Sequence, residues 1–291
     1  MAEAADTINR PELCGTIYRK ELLGAGDQMR YSIPNDVRPQ VNLLILAIGV
    51  SFALWMVSWI FPAVAYLVYP LQLFATFIHE GGHVLATVLT GNSVQSLTVS
   101  PDTSGAVWSQ GSGWLAQLFI SSAGYLGTTA FGAALLAWIR FGYSSRLALY
   151  ISAGIVGVLT ILFGILAPIW NFLATVTIGS MLFTVMSGAV LAIGLAAIAR
   201  YASLKWANFA LAFLAVQCLL NAVFSLMQLF IISSMTSMHS DAANMAAATG
   251  LPGVVWAMIW MVISVVMISI GLRIYAVSKK NSSAESIFED Q

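Results

Sequence analysis

Residues 70–91 read PLQLFATFIHEGGHVLATVLTG, and the rest of the chain is interpreted outward from them. The stretch is long and apolar enough for a membrane helix, which needs about 20 such residues. Yet it carries His79, Glu80 and His83, and ionisable groups at membrane depth are costly unless they find partners. Residues four apart lie on one helical face. Both imidazoles can therefore reach one metal ion, with Glu80 beside them.

The whole chain has 291 residues, 59% hydrophobic and 8% charged. Soluble domains carry about 25% charged residues, so this composition excludes one. Apolar runs at 41–61, 70–90, 113–139, 147–167, 178–199, 206–232 and 253–276 predict an all-α polytopic membrane protein with six or seven transmembrane helices. The expected organisation is a polar N-terminal tail over 1–40, a membrane-embedded domain over 41–276 and a polar C-terminal tail over 277–291. The first 40 residues lack an apolar core with a cleavage site, so no secretory signal peptide is read there.

Charge is unevenly placed. Positions 39–272 contain only Glu80, Asp102, Arg140, Arg146, Arg200, Lys205 and Asp241. The four basic residues fall between apolar runs and mark the 140–146 and 200–205 linkers, with the C-terminal tail, as cytoplasmic. A net charge of zero without a Lys/Arg cluster argues against a nucleic-acid partner. Cys14 and Cys218 sit in a polar tail and an apolar run and indicate no disulfide framework.

Two linkers carry no basic residue. In residues 92–112, Val94, Leu97, Val99, Val107 and Trp108 flank Pro101-Asp102-Thr103-Ser104-Gly105, which predicts a short β-hairpin at the membrane boundary. Its strand at 94–100, with Val94, Leu97 and Val99, is a candidate substrate-binding edge, because an unwound peptide in a dry environment needs backbone partners. A structural lid is the alternative. In residues 233–252, Ser240-Asp241, an alanine-rich stretch and Gly250-Leu251-Pro252 predict a cap, a short helix and a stop.

His79-Glu80-Gly81-Gly82-His83 is the His-Glu-x-x-His pattern on a helix. In that pattern the two histidines bind zinc and the glutamate acts as general base toward a zinc-bound water. A catalytic zinc takes three protein ligands plus water, so one more is needed. Asp241, His239 and Asp102 are the candidates. Asp241 could instead complement a helix dipole, and Asp102 could serve only its turn. Asp241 gains from topology, since its linker emerges on the side where the second span ends. Gly81 and Gly82 each cost a helix about 1 kcal/mol relative to alanine, which implies close approach of another segment or of a substrate.

Taken together, Phe77 to His83, Thr90-Gly91, Ser104-Gly105, Ser240-Asp241-Ala242 and Thr249 to Pro252 resemble a site-2 protease-like intramembrane zinc metallopeptidase, of the compact bacterial branch without an added soluble domain. The resemblance implies Zn2+ held by His79, His83 and Asp241, with Glu80 as catalytic base. It also implies a substrate that is the transmembrane segment of another membrane protein within the lipid bilayer, and a location in the bacterial inner membrane. One departure is plain: Asp241 is followed by Ala242, whereas better-known members carry Asp-Gly. Two other functions fit the same residues, an inactive relative that binds membrane helices, and a transporter or channel using the cluster as an ion or proton path.

Overall fold

The computed structural model describes residues 38–276 except 111, 112, 174 and 236–239. The tails expected over 1–40 and 277–291 lie outside the described residues, save that 38–40 open the first helix. The chain runs through α1 (Arg38–Ile60), a 3-10 turn (Pro62–Val64), α2 (Ala65–Leu89), β1 (Ser93–Val99), β2 (Gly105–Gln110) and α3 (Trp114–Arg140). There follow α4 (Ser145–Leu159), which passes through a π-helical segment (Thr160–Leu166) into α5 (Ala167–Trp170), then α6 (Ile178–Tyr201), α7 (Leu204–Met235), α8 (Asp241–Thr249) and α9 (Gly253–Ala276).

Among the described residues, six helices are long and apolar enough to cross a membrane. This agrees with the expected six or seven. α1 contributes a shorter apolar stretch, Val41–Leu54. The protein is a multi-pass membrane protein, and its described residues are mostly helical with one two-stranded antiparallel hairpin.

Helix ends follow local chemistry. Thr177 and Ser180 form a reciprocal capping box at the start of α6, satisfying amides that have no partner within the helix. Ser240 caps α8 by accepting the Ala243 N–H at 3.2 Å. Gly250 ends that helix in the left-handed region, with φ of 76°, which glycine adopts without steric cost.

The hairpin forms as expected after the His-Glu-x-x-His helix and folds back along it. Its turn lies far back along α2: Tyr69 Oη donates to Pro101 O at 2.7 Å and Thr76 Oγ1 to Thr103 O at 2.6 Å. At about 1.5 Å per residue, Thr76 lies roughly 20 Å back from Leu89, so the hairpin runs back alongside a helix of spanning length. Such backbone is tolerated at membrane depth only where its polar groups find partners or face a cavity. β1 and β2 pair Thr98 with Ala106 and Val99 with Gly105. The other edge of β1 is covered: Val99 N–H donates to Thr184 Oγ1 at 2.8 Å, Asn171 Nδ2 donates to Gln95 O at 3.3 Å, and Ser96 Oγ lies 2.8 Å from Thr175 Oγ1.

Leu97 and Val99 are consequently core residues, packed in one cluster with Phe74 and Phe77 of α2, Leu136 of α3 and Leu211 of α7. A second cluster seats α8, with Ala242 and Met245 buried against Leu226 and Leu229 of α7 and Ala257 and Trp260 of α9.

Candidate metal centre

α2 presents His79 and His83 one turn apart, as the spacing requires, and α8 brings Asp241 to them from far along the chain. Asp241 Oδ2 lies 3.5 Å from His79 Nε2 and 3.3 Å from His83 Nε2, and the two Nε2 atoms are 3.1 Å apart. Ligands placed tetrahedrally at about 2.0–2.1 Å from a zinc ion would be about 3.3 Å from one another. The three atoms thus have the mutual spacing of three corners of a zinc tetrahedron. Among the described residues this is the group of His, Asp, Glu and Cys that could hold a metal ion.

The surroundings fit the same role. His83 Nδ1 lies 2.6 Å from Ile120 O; a carbonyl only accepts, so the proton sits on Nδ1 and Nε2 keeps its lone pair for a metal. Asp241 responds to two opposed influences. Burial would raise its carboxyl, but His83 and His79 beside it outweigh burial and hold it below the usual carboxylate range. Glu80 is buried, and no hydrogen-bond donor among the described residues reaches its carboxylate. An anion so placed needs compensation, which a cation in the adjoining cluster would provide.

Space at the centre is kept by glycine. A Cβ on Gly124 of α3 would meet Nε2 of both histidines and would stand 2.6 Å from His79 Cε1. A Cβ on Gly105, the first residue of β2, would collide with the Glu80 carboxylate. The absent side chains are therefore the room in which an ion, a water and a substrate carbonyl could stand. The two glycines within the motif serve packing: Gly82 abuts Ala123 O of α3, and a Cβ on Gly81 would come within 2.8 Å of Leu159 Cδ1.

Other candidates fall elsewhere. Asp102 is exposed and accepts from Ser104 N–H at 3.0 Å and Ser104 Oγ at 2.6 Å, the local turn role of such residues. His239 lies outside the described residues. The substrate edge expected at Val94, Leu97 and Val99 is corrected: Leu97 and Val99 are buried and Val99 is bonded to α6, so this edge of β1 is taken up within the protein. Sequence reasoning missed Gly105, Ile120, Gly124 and Tyr125. Gly105 shows only as part of the Ser104-Gly105 turn, and Gly124 as one of three small residues at four-residue spacing with Thr128 and Gly132, a stripe that reads as helix packing. Packing is indeed what Gly132 does, against Leu219 and Ala215 O.

Among the described residues, six helices long and apolar enough to cross a membrane, a hairpin laid back along one of them, and a His-Glu-x-x-His helix joined by a distant aspartate make the arrangement of a membrane metallopeptidase. The family model described as peptidase M50B-like matches residues 44–271, and the chain belongs to that family, whose members are site-2 protease-like membrane metallopeptidases. Neither curated proteins nor solved structures match the chain.

Proposed function

We propose that the chain is an intramembrane zinc endopeptidase that hydrolyses peptide bonds in or near transmembrane segments of other membrane proteins. On this reading residues 41–276 are the catalytic domain, and its location is a bacterial inner membrane, as the resemblance to the compact branch implies. The observation that carries the reading is the tetrahedral spacing of His79 Nε2, His83 Nε2 and Asp241 Oδ2 beside a buried carboxylate without another partner.

When bound, zinc would lower the pKa of a water and polarise the scissile carbonyl. Glu80, next to His79 in sequence, is the group that takes the proton from that water and returns it to the leaving amine. Ile120 O holds His83 in the tautomer that can ligate, and Gly105 keeps the approach to Glu80 open.

The free edge of the hairpin supports a way to hold substrate. Both main-chain groups of Val99 face Thr184, so the Val99 and Gly105 pair is of the non-hydrogen-bonded kind and Gly105 turns its N–H and C=O away from β1. Val107, two residues on in register with Leu97, does the same. No described residue partners these groups. An unwound segment added along β2 would satisfy them and would lie across Glu80, where β2 begins.

The test compares membrane proteomes of cells carrying wild type and Glu80→Gln. Fragments present only with wild type are expected, with about one zinc per chain in both proteins and a loss of cleavage in the variant of at least a hundredfold. Wild type that purifies without zinc and cuts nothing when supplied with metal would refute the proposal in favour of a proton path. Zinc binding with no Glu80-dependent fragment would favour the inactive relative.

A further inference from the structure

The two histidine ligands are anchored differently. His83 has the Ile120 carbonyl on its Nδ1, whereas among the described residues the Nδ1 of His79 has no hydrogen-bond partner. His79 is also the more exposed of the two, at 17% against 7% for the side chains. A terminal imidazole torsion is broad when nothing fixes it, so a ligand lacking the usual hydrogen bond must be oriented by something else.

That partner is aromatic. The Tyr125 ring meets His79 edge to face, with centroids 4.5 Å apart and planes at 83°. Tyr125 in turn stacks on Trp260 of α9 at 5.5 Å and 20°. Trp260 is almost fully buried and donates from Nε1 to Ser122 Oγ at 3.0 Å. Beyond it stands Trp256, 6.5 Å away, whose Nε1 donates to Thr249 Oγ1 at 3.0 Å. Thr249 is the last residue of α8, the helix that begins with Asp241. One pile of rings thus runs from a candidate ligand on α2, across α3 and α9, to the far end of the helix carrying another.

We propose that Tyr125, backed by Trp260, is the positioning residue for His79, replacing by ring packing the hydrogen bond that orients a metal-bound histidine. This inference rests on the zinc reading above. It makes metal affinity depend on the seating of α9, a helix with no ligand of its own. The relevant property of Tyr125 is its aromatic ring, and its hydroxyl is dispensable for this role.

The experiment uses the full chain in detergent, loaded with Zn2+ in competition with a chromophoric chelator and separately with Co2+ to read the ligand field. Tyr125→Leu and Trp260→Leu should weaken zinc about tenfold, at the low end of the range for removing a residue that orients a ligand, and should shift the Co2+ absorption bands. Tyr125→Phe should restore both affinity and spectrum to within twofold of wild type. Should the leucine variants fail to fold, Tyr125→Met, whose unbranched side chain can fill an irregular gap and suits a helix, and Ser122→Ala, which releases Trp260, carry the test with the same expected direction. Wild-type affinity and an unchanged Co2+ spectrum in the folded variants would overturn the proposal. Absence of metal from the wild type itself would instead overturn the zinc reading on which it rests.

Discussion

Gly124→Ala is the sharpest perturbation of the metal centre, because it adds one methyl group and removes no interaction. The new Cβ would stand 2.6 Å from His79 Cε1 and closer to Nε2 of both histidines, whereas non-bonded carbon contacts settle at about 3.5–4.0 Å. With both imidazoles held at a metal, relief requires α3 and α2 to separate by about 1 Å, which would stretch the 2.6 Å contact between His83 Nδ1 and Ile120 O. Overpacking of this kind costs about 1–3 kcal/mol. Because the clash lies where a metal would stand, most of that cost should fall on metal binding, a loss of about five- to 150-fold. The metal-free protein meets the same clash but can relieve part of it by turning the imidazoles, and alanine favours a helix over glycine by about 1 kcal/mol, so its melting temperature should change far less than its zinc affinity. Zinc affinity from chelator competition, set beside thermal melting of the metal-free protein, separates the two effects. Gly127→Ala serves as control: its Cβ meets only Gly82 Cα, at an ordinary 3.5 Å, and should leave zinc affinity unchanged. A Gly124→Ala protein that binds zinc as wild type does would refute the steric argument and, with it, the placing of the ion between the two Nε2 atoms.

Gly105→Ala should push the Glu80 carboxylate aside and lower the turnover number by at least tenfold while zinc content stays near one per chain; a KM effect alone would contradict this. Val107→Pro removes an outward N–H without breaking the β1–β2 ladder, since proline is tolerated at an edge whose N–H faces away. It should therefore reduce cleavage severalfold at constant zinc content, and equal activity would count against substrate pairing along β2. Asp241→Ala should lose zinc by at least a hundredfold, whereas His239→Ala should retain it; the reverse result would transfer the third ligand to His239. Metal content by mass spectrometry decides that comparison.

Much of the architecture is legible because its signals are local. A membrane helix is written as a continuous apolar run, so α2, α3, α6, α7 and α9 fall close to the runs in the sequence. The α8 boundaries follow from Ser240 and Gly250, whose capping roles depend on neighbours a few residues away. The alternation around Pro101 to Gly105 likewise announces the hairpin. Its depth is not local. The bonds that draw its turn back along α2 come from Tyr69 and Thr76, ordinary residues of a helix whose sequence contains nothing addressed to a hairpin. Edge availability is hidden for a related reason. A period of two tells which side chains share a face, but whether an edge is open depends on tertiary partners such as Thr184. For that reason Val99→Pro, the natural test when 94–100 is taken as the open edge, would break an internal bond, whereas Val107→Pro addresses an edge with no partner among the described residues.

The metal centre divides in the same way. Residues that give or take protons, His79, Glu80, His83 and Asp241, stand out because so few ionisable groups occur between positions 39 and 272. The contribution of α3 contains no such group: it consists of a backbone carbonyl at Ile120, a missing methyl at Gly124 and an aromatic ring at Tyr125. A carbonyl belongs to every residue, glycine in a membrane helix usually means close packing, and a tyrosine among apolar neighbours reads as core. Their meaning comes from register: positions 120 and 124 lie one turn apart on a helix held against α2 by the contact of Gly82 with Ala123 O. The glycine pair in the motif therefore acts indirectly on the chemistry. By letting α3 approach, Gly82 brings the Ile120 carbonyl within reach of His83, so a bulkier residue there should impair metal binding without touching a ligand.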